Sequence, residues 1–156
     1  MAAASSTAFD ASAGFSAFAA SLPRDSASEV PYEPERLQGR VVLVTFVASW
    51  CFPCLAELAS LRRLEEQYGA QGFSNVLVGM DLEGRAVLEP MARQLGLRCP
   101  LVVGDDRLRS AQTPFGRVRE LPSRVLFGRD GRVVAAYSGV APHEALERVV
   151  REELRR

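Results

Sequence analysis

An α/β domain is what this sequence predicts, on three observations. The run Val41–Val47 is almost wholly β-branched or apolar, as suits a strand buried on both faces. Leu58, Leu61, Leu64 and Tyr68 then recur at three- and four-residue spacing and stop before Gly69, which marks an amphipathic helix. The alternation returns, with a second buried strand over residues 75–81 and a helix over 86–95 ending at Gly96, so the two strands should pair in parallel.

The remaining elements follow in chain order. Residues 1–30 lack sustained periodicity and read as a flexible lead-in, with Phe9, Phe15 and Phe18 able to dock on a surface; residues 31–156 form the domain. Pro90 falls inside the second helix, which should either kink there or begin there. After Pro100, residues 101–103 suit a third strand, and 104–119 a loop with one helical turn. Residues 124–128 and 132–137 flank Arg129-Asp130-Gly131, and an Asp-Gly turn between β-prone runs predicts an antiparallel hairpin. A last helix opens at Pro142, carries Glu144 and Glu147 early and Arg151, Arg155 and Arg156 late, and buries Leu146, Val150 and Leu154.

Composition narrows the function. At 156 residues, 47% hydrophobic and 24% charged, the chain suits one globular domain. Nineteen basic and nineteen acidic residues leave no net field to gather nucleic acid or an anionic membrane. Every basic side chain is Arg, to which no function is attached. No apolar run nears the ~20 residues of a membrane span. The opening residues, with Asp10 among Ala and Ser and no basic residue ahead of them, make a poor export signal.

Three cysteines are too few for a disulfide scaffold, but Cys51 and Cys54 stand two residues apart between strand and helix. A thiol attacks a disulfide as thiolate, and a helix start can give Cys51 both an exposed sulfur and, through its unpaired N–H groups and positive dipole end, a stabilised negative charge. Cys54, one turn on, faces inward and can resolve a mixed disulfide. Pro53 removes one donor from that first turn, and Phe52 adds apolar bulk. The alternative, half of a zinc site, lacks partners: only Cys99 and His143 remain, both distant. Cys99 reads as a small buried hydrophobe, His143 as a helix-start surface residue, and Trp50 as a groove wall or as packing over the loop.

From Leu37 onward the sequence resembles the TlpA/ResA-like branch of the thioredoxin superfamily. Gly39-Arg40, Trp50-Cys51-Phe52-Pro53-Cys54, Glu57 and Leu121-Pro122-Ser123 ahead of Asp130-Gly131 carry the resemblance. It implies a thioredoxin fold, a central mixed β-sheet flanked by helices, and a thiol-disulfide oxidoreductase working through Cys51 and Cys54. It implies that Pro122 is cis and packs against the active disulfide, that Trp50, Phe52, Pro53, Leu121 and Pro122 meet substrate, and that Glu57 influences cysteine ionisation and proton traffic. Thr45 stands six residues before Cys51, where thioredoxins proper carry a buried Asp, which leaves Glu57 as the nearest acid. Ala59 and Cys99 depart from the branch, which often has a helix-kinking Pro and an aromatic residue there. The implied partners are a disulfide-containing client protein and an upstream thiol electron donor, with a monomeric chain, no cofactor beyond the Cys51–Cys54 pair and no metal. The implied compartment is the periplasm or cell envelope, with the cytoplasm as alternative. A copper-binding chaperone or a non-catalytic adaptor is the competing function; copper carriers of this fold usually add a histidine, and His143 is the only one here.

Overall fold

The computed structural model describes residues 8–156. Five strands form one mixed sheet in the order β3-β2-β1-β4-β5: β1 Val41–Val47, β2 Phe73–Gly79, β3 Leu101–Val103, β4 Ser123–Phe127 and β5 Val133–Ser138. β1 pairs with β2 in parallel and with β4 antiparallel, and all seven of its residues are buried. A central strand covered on both faces cannot alternate apolar with polar residues, so its sequence is continuous rather than periodic.

The pleat sends Val41, Leu43 and Val47 into one core and Val42, Val44 and Phe46 into the other. The first core is roofed by helices α2 Phe52–Tyr68, α3 Arg85–Leu95 and α5 His143–Leu154, through residues such as Leu64, Leu88 and Val150. The expected parallel pair, hairpin and closing helix are all present. β2 begins two residues earlier than its apolar run suggested, because Phe73 pairs with Val41, and Asp81 leaves the ladder to serve another segment. α3 begins at Arg85 and passes through Pro90, so the later start does not occur. Residues 106–109 are the helical turn expected after β3, labelled α4.

The second core corrects the reading of residues 1–30 as a flexible lead-in with a boundary near residue 30. Residues 1–7 lie outside the described residues, but from residue 8 the segment belongs to the fold. Helix α1, Phe15–Ser21, seats Phe15, Phe18, Ala19 and, just beyond its end, Leu22 on the face of the sheet opposite α2. Phe18 is 1% exposed and makes edge contacts with Phe115 and Phe127 at centroid distances of 4.7 and 5.0 Å. The Tyr32 hydroxyl donates to the Ala19 carbonyl at 2.8 Å, and the Phe15 N–H donates to Gly131. Gly116 has a positive φ, and a side chain there would meet the backbone of Ala8 and Phe9 at 2.6 Å, so glycine lets the incoming chain pass. Residues 25–27 then run along β3, with Ala27 N–H to Leu101 and Val103 N–H to Asp25, which covers that edge of the sheet. The segment is ordered because, with Leu108 and Phe115, it completes the cover over the underside of β1.

Truncating Phe18 therefore removes a core side chain rather than a surface anchor. Phe18→Ala is expected to lower unfolding stability by about 3–5 kcal/mol in a urea titration; a loss under ~0.5 kcal/mol would return the segment to the surface.

Candidate functional site

The site lies where β1 ends. Ala48 to Trp50 turn the chain, Cys51 caps α2, and a disulfide joins Cys51 to Cys54 with their Cα atoms 5.3 Å apart. Cys51 is the N-cap itself: its sulfur accepts the Cys54 N–H at 3.2 Å, in the place where a serine or aspartate oxygen caps other helices. Pro53 sits in the first turn, where a missing N–H costs nothing. Negative charge on the Cys51 sulfur after reduction would meet both that N–H and the helix dipole.

One expectation fails here. Cys54 is buried as expected, at 1% exposed, but Cys51, expected to be exposed, is only 4% exposed in the disulfide form. Folding back to cap the helix and bond Cys54 turns the Cys51 sulfur away from solvent. The residues on either side take the exposure instead, Trp50 at 67% and Phe52 at 81%, so Trp50 is not packing over the loop. Pro53 is exposed beside them.

Asp81 fixes the loop from below. It is buried, and its carboxylate accepts the Ser49 N–H at 3.0 Å and the Ser49 hydroxyl at 2.6 Å, tying the end of β2 to the turn that presents Trp50. Sequence reading missed it, since the two residues are joined only by the parallel register of β1 and β2. Exposed Leu82 follows at once.

The segment before β4 makes a cis-proline turn. The Leu121–Pro122 peptide bond is cis, Pro122 is buried, and half-buried Leu121 packs against the core that holds both cysteines. The Pro122 carbonyl accepts the Gly139 N–H at 2.8 Å, which brings the β5–α5 loop alongside and with it Val140, exposed like Leu82.

Glu57, one turn after Cys54, is 6% exposed and no surface acid. Its carboxylate pairs with Arg124, whose side chain is wholly buried, and accepts the Ala141 N–H at 2.9 Å. Arg124 lies directly across from Thr45 in the antiparallel ladder, so its side chain rises from the face of the sheet that α2 covers. Burial pulls the Arg124 guanidinium below its ordinary range, opposed by the nearby Glu57 charge. Two buried polar atoms lack partners here, Thr45 Oγ1 and Arg124 Nε.

The other sulfur and the histidine stand apart. Cys99 is a free, buried thiol on the wall of a groove of about 410 Å³ between α2 and the chain after α3. Burial, with the Glu65 charge nearby, pushes it up to about 12. His143 opens α5, half-buried, with Nδ1 hydrogen-bonded to the Ser60 hydroxyl at 2.6 Å. No helix among the described residues is long and apolar enough to cross a membrane.

A Cys51–Cys54 disulfide that caps the helix after the central strand, on a mixed five-stranded sheet with a cis-proline turn before β4, defines a thioredoxin-like fold that carries a redox-type cysteine pair. The comparisons agree: the Redoxin family model matches residues 12–152, and the chain belongs to that family. It is 29% identical over 115 residues to the thiol-disulfide oxidoreductase ResA of Bacillus thuringiensis, spanning 74% of this chain and 64% of the relative. The chain thus matches a little under two thirds of that relative's length. Among solved structures, a putative thiol:disulfide interchange protein DsbE from Chlorobium tepidum superposes with a TM-score of 0.69 at 27% identity, over 86% of this chain and 99% of the other. A secreted thiol-disulfide isomerase from Corynebacterium glutamicum shares the fold, with a TM-score of 0.72 at 18% identity over 86% of each chain.

Cys99 supplies the test of this geometry, because it is the one thiol left free when the disulfide is closed. A maleimide at pH 8 should label the oxidised native protein hardly at all and the guanidinium-unfolded protein fully, since only thiolate reacts and burial disfavours it. Below pH 12 the native labelling rate should climb with pH. Rapid stoichiometric labelling at pH 8 without denaturant would show the thiol to be open.

Proposed function

We propose that this chain is a thiol-disulfide oxidoreductase that reduces disulfides of client proteins through Cys51 and Cys54. One observation carries it: the two sulfurs are bonded to each other at a helix N-terminus with a backbone N–H already directed at Cys51. In the reduced protein the Cys51 thiolate attacks one sulfur of a client disulfide, the client bond breaks, and the second client sulfur leaves as thiolate. Cys54 then loses its proton and attacks Cys51, which closes the internal disulfide and frees the client's first sulfur. Two electrons have passed to the client, and an upstream dithiol must return them.

Cys51 takes the attacking role because it caps the helix and stands between exposed Trp50 and Phe52, whereas Cys54 is a full turn inside. Trp50, Phe52, Leu82 and Val140 leave apolar side chains exposed, and half-buried Leu121 packs against the core that holds the pair. An extended, partly unfolded client segment suits that surface. A disulfide carrier of this kind works where disulfides persist, and the secreted relative in Corynebacterium glutamicum supports an extracytoplasmic compartment.

Single-cysteine variants separate the roles. Cys54→Ser should accumulate mixed disulfides with clients on non-reducing gels, Cys51→Ser should form few, and both should lose turnover of a disulfide substrate. Trapping by Cys51→Ser alone would reverse the two roles, and wild-type turnover in both variants would remove the activity.

A further inference from the structure

We propose that Arg124 is a positioning residue that sets the client-facing wall of the site, an inference resting on the activity proposed above. Three segments meet beside the helix that carries the disulfide: α2 itself, β4 after its cis-proline turn, and the β5–α5 loop. Each reaches the same buried charge pair. Glu57 comes from α2, one turn from Cys54. Arg124 comes from β4, two residues after Pro122. The loop contributes at both of its ends, since the Gly139 carbonyl accepts Arg124 Nη1 at 3.4 Å and the Ala141 N–H donates to Glu57 at 2.9 Å. Between them stands Val140, 63% exposed.

The arrangement fixes Val140 with very little packing of its own. Gly139 has a positive φ and carries no side chain, and Val140 projects outward. What holds the loop is therefore the Gly139 bond to Pro122, the two bonds to the ion pair and the seat of Ala141 against the core. The carboxylate can take Arg124 on Oε1 and Ala141 on Oε2 at once, so both of its oxygens are committed to holding chain segments. A guanidinium suits the other half, because its planar fork reaches two acceptors on different elements. Arg124 touches neither sulfur by any bond in the structure; it acts through Glu57 and the loop.

A role in recognition makes a demand that general stability does not. Loosening the wall should slow exchange with a large client, which must lie against Val140 and Leu121, more than exchange with a small disulfide that needs only the sulfur. The experiment uses the full chain, stoichiometrically reduced, with insulin as the protein disulfide and bis(2-hydroxyethyl) disulfide as the small one. Arg124→Met removes the cation at similar volume. Because it leaves a buried carboxylate unpaired and can unfold the protein, the Glu57→Gln/Arg124→Met pair is measured beside it; that pair carries no buried charge. The ratio of the insulin rate constant to the small-disulfide rate constant is expected to fall about fivefold or more in the folded variants. An unchanged ratio, whether both rates hold or both fall together, overturns the proposal. Amide exchange at Ala141 gives a second reading, with protection expected to drop about tenfold in either folded variant. A wild-type protein that exchanges with neither disulfide would sink the activity on its own account; Ala141 exchange would then decide the lock, and unchanged protection would overturn it.

Discussion

Everything in this structure depends on the complete burial of β1. A strand with no solvent face must be covered twice, and the chain spends its whole length doing so. Three helices cover one face, and on the other Phe15, Phe18 and Leu22 arrive from the start of the chain to meet Phe115 and Phe127 from far along it. Because β1 cannot shift in register without placing Thr45 in the wrong core, its end is fixed, and so is the point at which Cys51 begins the helix. The chemistry inherits its precision from packing that begins at Val41, ahead of the cysteines.

Local pattern made the central part legible. The apolar run, the cysteine pair and the helical stripe after it each lie within a single window, and each is where the sequence placed it. The second core was less visible. Phe15, Phe18, Ala19 and Leu22 do stand at the i, i+3, i+4, i+7 spacing of a helix stripe, but over seven helical residues, too short to be stable unsupported. Only the tertiary surface beneath makes the helix.

The site divides along the same line. Cys51 and Cys54 could be read from position alone, and Phe52 and Glu57 from the resemblance, while the choice between groove wall and packing for Trp50 needed its exposure. Arg124 could not be read from either. A charged residue in a strand is ordinarily assigned to solvent, and which way residue 124 points is set by a register that the hairpin establishes with β1. Asp81 and Ser49 escape for a similar reason, being 32 residues apart and adjacent only across the parallel ladder. The polar groups that shape the site come from non-local pairing, whereas its reacting atoms come from one pentapeptide.

The seating of α1 also bears on how the molecule comes into being. Phe18 is made early, yet its ring partners Phe115 and Phe127 are made about a hundred residues later, so vectorial folding behind a ribosome or a translocation pore cannot complete the second core. Until the last hairpin emerges, Phe18 lacks Phe127 and β1 lacks its antiparallel neighbour β4. The helix-capping sulfur of Cys51, by contrast, needs only the Cys54 N–H three residues on, so the reacting pair is assembled locally while the packing beneath the sheet waits for the last hairpin.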